Sequence, residues 1–109
     1  SENRSIAGTS ASISLSADPD PFTTSTSVRA TLPNPRSFVT LQVFDRRGRL
    51  RRSILRGVEV GATLDVPWDG LDARGVHVKP GAYVLVLEHS GADNRIFQAR
   101  TVVNYAKGL

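Results

Sequence analysis

The sequence predicts an all-β domain, built as an antiparallel β-sandwich of about seven strands. Three observations support this prediction: apolar residues alternate with polar ones in short stretches, Gly, Pro, Asn or Asp bounds each stretch, and no stretch has a sustained helical period. A chain of 109 residues that is 39% apolar has the usual size of one domain with one core. We therefore expect one sandwich domain over residues 12–109, after a polar linker over residues 1–11.

The predicted strands follow one another at nearly regular spacing. They comprise residues 12–16, 26–32, 38–45, 50–55, 62–68, 82–89 and 95–105. The first has Ile13 and Leu15 on one face and is ended by the Asp-Pro repeat of residues 18–21, because proline cannot donate to a β-ladder. The second is ended by Pro33, and its inward side chains are expected to be Val28, Ala30 and Leu32.

The third and fourth strands are predicted to form a hairpin. The third has apolar side chains on both faces, since Phe38 and Phe44 lie opposite Val39, Leu41 and Val43. This pattern predicts a strand that is covered on both sides. The turn is Arg46-Arg47-Gly48-Arg49, where Gly48 supplies the positive φ that a tight hairpin needs. A basic fourth strand returns, followed by a loop through Gly57 and Gly61.

The last three strands surround a turn-rich segment, residues 69–81. The fifth strand has Pro67 on one face, which indicates an edge position or a bulge. Its other face carries Ala62, Leu64, Val66 and Trp68. The sixth contains the run Tyr-Val-Leu-Val-Leu, which predicts a central strand. Residues 91–94 are expected to close a hairpin onto the seventh.

Three sequence blocks, in this order and at this separation, resemble a known family. They are Leu41-Gln42-Val43-Phe44-Asp45-Arg46-Arg47-Gly48-Arg49-Leu50, Trp68-Asp69-Gly70-Leu71-Asp72-Ala73-Arg74-Gly75 and Pro80-Gly81-Ala82-Tyr83. The pattern resembles the immunoglobulin-like domain named after the flagellar hook-capping protein, which also occurs as a C-terminal domain on proteins exported by the type nine secretion system. The resemblance implies an immunoglobulin-like antiparallel β-sandwich.

The residues of these blocks also have a purely structural interpretation. Trp68 is expected to be buried as the large aromatic side chain that fills the core. Asp69 and Asp72 are suited to cap exposed backbone amides in the Asx manner, and glycines supply the backbone freedom of the turns. The structural motif comprises Asp45, Gly48, Trp68, Asp69, Gly70, Asp72, Gly75, Gly81 and Tyr83.

Catalytic and metal sites are not expected. The absence of cysteine excludes disulfides, thiolate metal sites and cysteine nucleophiles. His77 and His89 lack the spacing of a zinc pair and are expected at the surface or at a sheet edge. Asp65, Asp69 and Asp72 can offer oxygen ligands to calcium, but turn capping is the preferred interpretation. No Gly-x-Ser-x-Gly motif or phosphate-binding glycine loop occurs, so we predict no enzymatic activity, no metal and no cofactor.

Two binding alternatives stay open. The net charge of +4 is concentrated in six arginines between Arg46 and Arg56. This segment can bind a polyanion, or it can be a solvated hairpin that guards an edge strand. No aromatic residue interleaves these arginines, which favours the second interpretation and argues against nucleic acid. Carbohydrate binding would need exposed rings among Phe38, Phe44, Trp68, Tyr83, Phe97 and Tyr105.

The resemblance implies a non-catalytic sorting and attachment domain, which directs a cargo protein through the type nine secretion system to the cell surface or medium. The route would cross the periplasm and the outer membrane. Its partners would be proteins of the secretion machinery and a passenger domain N-terminal to it. The residues closest to the signal would be Thr101, Val102, Val103, Lys107, Gly108 and Leu109.

Membrane insertion is not expected, because no run of about 18 apolar residues occurs. The first residues, Ser1-Glu2-Asn3-Arg4, also lack a signal-peptide pattern. Two alternative functions stay open: a structural spacer or assembly module of the hook-cap kind, and a carbohydrate-binding accessory module.

Overall fold

The computed structural model describes residues 13–33, 36–91 and 95–106. Within these ranges the chain has seven strands: β1 Ser14–Asp18, β2 Thr26–Thr31, β3 Ser37–Phe44, β4 Leu50–Val60, β5 Thr63–Trp68, β6 Gly81–Ser90 and β7 Ile96–Tyr105. The described ranges contain no helix able to cross a membrane. The seven strands confirm the predicted all-β class. The expected linker over residues 1–11, most of the turn at residues 91–94 and the last three residues lie outside the described ranges.

Two antiparallel sheets form the sandwich that the sequence predicts. One sheet has three strands in the order β1-β2-β5, and the other has four in the order β4-β3-β6-β7. The β3–β4 and β6–β7 hairpins each stay within the larger sheet, whereas the chain crosses between the sheets from β4 to β5. Each sheet buries the face that packs against the other sheet, so two layers are enough to enclose one hydrophobic core.

The core consists of alternate side chains from both sheets, as the period of a β-strand requires. Its members include the inward residues predicted for β2 and one complete face of β3 and β6. They are Val28, Ala30, Leu32, Val39, Leu41, Val43, Leu64, Trp68, Tyr83, Leu85, Leu87, Val103 and Tyr105. Strand β6 lies between β3 and β7, which confirms its predicted central position. Strand β5 lies at the edge of its sheet, as Pro67 indicated.

Two expectations about single residues are wrong. Phe38 is 53% exposed and Phe44 is only half-buried, so β3 is not covered on both sides. No described element packs on the outer face of the four-stranded sheet. His89 is 1% exposed rather than at the surface, and its ring packs against Phe97 at a centroid distance of 5.4 Å. It occupies the inward position that follows Tyr83, Leu85 and Leu87 at intervals of two residues.

Strand β4 is longer than predicted and continues through the expected loop at Gly57 to Val60. The pairing between β3 and β4 changes register between Val39 and Leu41, which identifies an irregularity of the bulge type. Gly57 has a φ of 58°, and its N–H donates to Thr40 Oγ1 at 3.0 Å. The glycine that suggested a loop therefore accommodates a bulge within a strand.

Ser14, the first residue of β1, and Tyr105, the last residue of β7, lie at opposite ends of the sandwich. Tyr105 pairs with Gly81, and Phe22, which follows β1, contacts both Tyr105 and Trp68 through its ring. The end of β1 is thus beside the end of β7. Its first residue, Ser14, pairs with Thr31 at the far end of the same sheet.

Candidate functional site

The β3–β4 turn is organised by the carboxylate of Asp45. Its Oδ1 accepts hydrogen bonds from the backbone N–H groups of Arg47 and Arg49, both at 2.9 Å. The N–H of Arg49, and then that of Arg47, lowers the pKa of Asp45 below its ordinary value. Gly48 has a φ of 82°, so the turn adopts the positive φ that its sequence predicts.

The segment after β5 contains a second turn of the same kind, organised by Asp72. Its Oδ1 accepts the backbone N–H groups of Arg74 at 2.9 Å and Val76 at 3.0 Å. These bonds, with that from Val76 the stronger cause, lower the pKa of Asp72. The sequence predicts that Asp69 also caps backbone amides. In the structure, Asp69 Oδ1 accepts a hydrogen bond from the backbone N–H of Leu71 at 3.1 Å.

Trp68 is 1% exposed and is held by a hydrogen bond as well as by packing. Its indole Nε1–H donates to the carbonyl oxygen of Leu71 at 3.0 Å. The same oxygen accepts a bond from Arg52 Nη1 at 3.2 Å, and Arg52 is paired with Asp69 at 3.4 Å. A buried indole whose polar atom is satisfied is a core residue with no ring face available to a sugar.

The three sequence blocks meet at this end of the sandwich. Arg51, the residue that directly follows the first block, contacts the second block: its carbonyl accepts the N–H of Ala73 at 2.9 Å, and its guanidinium pairs with Asp72 at 3.8 Å. The third block joins them because the Tyr83 ring meets Trp68 edge-on at 5.6 Å. Burial raises the pKa of Tyr83, whose hydroxyl donates to the carbonyl of Lys79.

Phe22 and Tyr105 also belong to this cluster. The sequence pattern assigns no role to Phe22 and predicts Tyr105 only as a strand residue and a candidate ring for carbohydrate binding. The Phe22 ring lies 5.4 Å from Trp68 and 5.1 Å from Tyr105. Tyr105 stacks on His77 with its hydroxyl 3.2 Å from Nδ1. Gly70 has a φ of 77°, and a Cβ there would lie 3.1 Å from Tyr105 Cε1. The two-residue period of β7 is the signal that places Tyr105 inward.

The residues expected to carry a sorting signal do not share one surface. Val103 is fully buried, Thr101 is half-buried on the same inward face, and Val102 is 52% exposed on the outer face. This alternation follows from the strand period. Lys107, Gly108 and Leu109 lie outside the described residues.

Strand β7 is an edge strand of its sheet and lies close to β1, and described residues bind its outer backbone groups near its end. Asn104 N–H donates to Asp20 Oδ1 at 2.8 Å, and its carbonyl accepts the N–H of Phe22 at 3.0 Å. Backbone groups of an antiparallel strand alternate between its two sides. The same side therefore presents the N–H and C=O groups of Ile96, Gln98, Arg100 and Val102, with which no described strand pairs.

The arginines of the β3–β4 hairpin divide into paired and unpaired groups. Arg49, Arg51 and Arg52 form ion pairs with Asp45, Asp72 and Asp69. Arg46 and Arg47 form no ion pair with any residue in the described ranges, and neither does Lys79. All three line a cleft beside the turn, whose floor includes Pro80 and Tyr83.

The aspartates considered for calcium do not converge. Asp65 lies on β5 and pairs with Arg29 at 3.4 Å, whereas Asp69 and Asp72 cap turns. Within residues 13–33, 36–91 and 95–106, no group of three or more His, Cys, Asp or Glu residues is arranged to hold a metal ion.

Comparison with known proteins gives one family and a set of distant folds. Residues 10–93 match the sequence profile of the FlgD Ig-like domain. The crystal structure of dimeric latent PorU from Porphyromonas gingivalis superposes with a TM-score of 0.74 at 19% identity, over 88% of this chain and 9% of PorU. CopC from Methylosinus trichosporium OB3b gives a TM-score of 0.55 at 16% identity, over 87% of this chain and 94% of CopC. No curated protein matches the sequence.

Proposed function

The chain belongs to the FlgD Ig-like domain family, a family of non-catalytic structural domains, and on this basis we propose that it is a sorting and attachment domain. It directs a cargo protein through the type nine secretion system to the cell surface or medium. Recognition uses a folded surface and a strand edge, so no bond is made or broken in the cargo. The partners are proteins of the secretion machinery and a passenger domain N-terminal to the sandwich.

The observation that carries this proposal is the edge of β7, with which no described strand pairs. An edge strand with free N–H and C=O groups is a template for a partner strand. On β7 this edge runs through Ile96, 70% exposed, to Val102, 52% exposed, before Asp20 covers it at Asn104. The strand thus offers backbone hydrogen bonds together with apolar side chains.

The positions of the first and last described strands support the same function. Ser14, where β1 begins, and Tyr105, where β7 ends, lie at opposite ends of the sandwich, so the chain enters β1 away from the end of β7. The PorU comparison shows this fold as 9% of a much longer chain. A small sandwich carried as one part of a large protein is what a sorting domain requires.

Export of a reporter fused before Ser1 tests the proposal, in a bacterium that has the type nine machinery. The strand-edge variant is Val102→Lys, and its matched control is Val58→Lys, because Val58 is also exposed, at 40%, on the other edge strand of the same sheet. A third variant ends after Ala106. It retains Tyr105, which is 4% exposed and part of the core.

We expect the unchanged chain and Val58→Lys to send the reporter outside the cell. Val102→Lys and the shortened chain should leave a folded reporter in the periplasm. The proposal is overturned if the unchanged chain is not exported, or if both altered β7 variants are exported as efficiently as the control.

A spacer or assembly module of the hook-cap kind is the second candidate. The observation that favours it is again the separation of Ser14 from Tyr105, since units with ends at opposite poles can be joined in series. Deleting the domain from its parent protein separates the two candidates. A spacer deletion leaves export intact and impairs assembly of the exported product.

A further inference from the structure

A row of apolar side chains crosses the uncovered face of the four-stranded sheet. Register places Leu50 opposite Phe44, Phe44 opposite Val84, and Val84 opposite Val102. Leu50 is 50% exposed and Val102 is 52% exposed, while the middle two are half-buried. One side chain from each strand thus forms a continuous strip, which we call the apolar row. Exposed apolar strips of this kind mark interaction sites.

Positive charge flanks the apolar row on two sides. Phe44 and Leu50 directly adjoin the β3–β4 turn with Arg46 and Arg47. Arg100 lies two residues from Val102 on β7, at the next position on the same outward face. Arg46 and Arg100 line one cleft together with Phe44 and Val84. Gln98 and Glu88 line it as well: Arg100 donates to Gln98 Oε1 at 3.1 and 3.3 Å, and Gln98 Nε2 donates to Glu88 at 3.2 Å. The acidic group of the turn, Asp45, is already bound by two backbone N–H groups and by Arg49.

The cationic groups here are left without acidic partners from the described part of the chain. Arg46, Arg47 and Arg100 form no ion pair with described residues, whereas Arg49, Arg51 and Arg52 each have one. Guanidinium groups form paired hydrogen bonds with carboxylates, and arginine is enriched at protein interfaces. The charge of this surface is therefore complementary to an acidic partner.

The kind of anion follows from the aromatic residues at this end of the sandwich. Sugars and single-stranded bases are bound by stacking on exposed rings. Phe22, Trp68, Tyr83 and Tyr105 are all between 1% and 6% exposed. The ring in the apolar row is the half-buried Phe44, which lies between the aliphatic side chains of Leu50 and Val84 rather than beside a second ring. Exposed aliphatic side chains beside unpaired arginines suit a protein segment with acidic and apolar residues.

We propose that the apolar row and the arginines beside it form a docking surface for an acidic segment of a protein partner that also carries apolar side chains. The apolar side chains pack on the row, and the carboxylates pair with Arg46, Arg47 and Arg100. The inference rests on the proposed function in one respect, because it takes the partner to be a component of the export machinery.

Binding in solution is tested with a soluble peptide in which Glu and Val alternate, followed by amide chemical shifts of the isotope-labelled 109-residue chain. We expect shifts at residues 44–50, at Val84 and at Val102, weakening with added salt. A peptide alternating Lys and Val should give none. Arg46→Glu combined with Arg47→Glu should raise the Kd about tenfold.

The control for charge and folding is Arg56→Glu, which changes an exposed arginine in the other half of β4. Its Kd should stay within about twofold, and its amide spectrum should retain the dispersion of the fold. The proposal is overturned if the acidic peptide shifts no amide of this surface. It is also overturned if a sulfated oligosaccharide or single-stranded DNA binds the same residues more tightly than the acidic peptide.

Export separates this inference from the proposed function. If the double variant Arg46→Glu with Arg47→Glu leaves the reporter in the periplasm while Arg56→Glu is exported, the docking surface acts in sorting. If the double variant is exported normally while the chain ending after Ala106 is not, the sorting function stands and the docking surface is wrong. If the unchanged chain is not exported, the sorting function is wrong, and the peptide titration alone decides the docking surface.

Discussion

Asp45 and Asp72 occupy equivalent positions in two turns of the same construction. In each, one carboxylate oxygen accepts the N–H groups two and four residues ahead, at 2.9 to 3.0 Å. The backbone N–H of each aspartate donates to the carbonyl four residues ahead, at 2.9 and 2.8 Å. Both turns have the sequence Asp-x-Arg-Gly, and their glycines have φ values of 82° and 80°. The domain thus contains the same aspartate-capped turn twice, once before and once after Trp68 in the sequence.

This construction predicts how stability depends on acid. The folded state lowers the pKa of both carboxyls, so their ionised forms stabilise the fold above their unfolded pKa of about 3.9, and this contribution is lost as pH falls through the folded values. Asp45→Asn with Asp72→Asn should lower the free energy of unfolding at pH 7 and flatten its decrease in acid. Urea unfolding from pH 7 to about pH 2 measures both effects. Asp65→Asn, at an exposed ion pair, is the control, and equal acid dependence in all three proteins would contradict the prediction.

Trp68 should contribute by both volume and hydrogen bonding. Trp68→Ala removes the largest fully buried side chain and should cost about 3–5 kcal/mol of the free energy of unfolding. Trp68→Phe keeps much of the packing but removes the donor to Leu71, whose oxygen retains Arg52, so its cost should be smaller. Urea unfolding followed by circular dichroism gives both values. Equal costs would contradict the prediction, because they would mean that the packing which a phenyl ring retains at this position adds nothing to that of alanine.

Two glycines with positive φ should respond differently to alanine. At Gly48 the added Cβ meets no atom within 4 Å, so Gly48→Ala should cost about 1 kcal/mol from the backbone conformation alone. At Gly70 the Cβ would also lie 3.1 Å from the Tyr105 ring, so Gly70→Ala should cost more. Combining Gly70→Ala with Tyr105→Leu should show a non-additive recovery. If the two single changes cost the same, the contact with Tyr105 is not tight.

Neighbouring valines of β7 should tolerate polarity very differently. Val103 is fully buried, so Val103→Thr places a hydroxyl in the core and should cost about 1–3 kcal/mol. Val102 is 52% exposed, and Val102→Thr should change stability by less than about 0.5 kcal/mol. Thermal or urea unfolding distinguishes them. A large loss at Val102 would mean that the outer face of the sheet is covered, which would also remove the basis of the docking surface.

Local chemistry in the sequence accounts for most of the strand positions. Alternation over Val28, Ala30 and Leu32 identifies the inward face of β2, and all three are buried. Gly48 marks the hairpin, and Pro67 marks an edge strand. Each of these signals depends on a backbone period or a single residue's dihedral preference, which act over a few neighbouring positions. Where a signal had two meanings, as at Gly57, the sequence favoured a loop and the structure has a bulge within β4.

The all-β class, the positions of the strands along the chain and the side chains that share a face of each strand were predictable from the sequence, because they follow from a two-residue period and from local turn chemistry. Which of those faces are covered depends on the packing of strands that are distant in the sequence. The tertiary structure exposes Phe38 and buries His89, against expectation, since cover depends on which strands pair across the chain. The apolar row has the same origin, because Leu50 and Val102 become members of one strip only when four strands align in register.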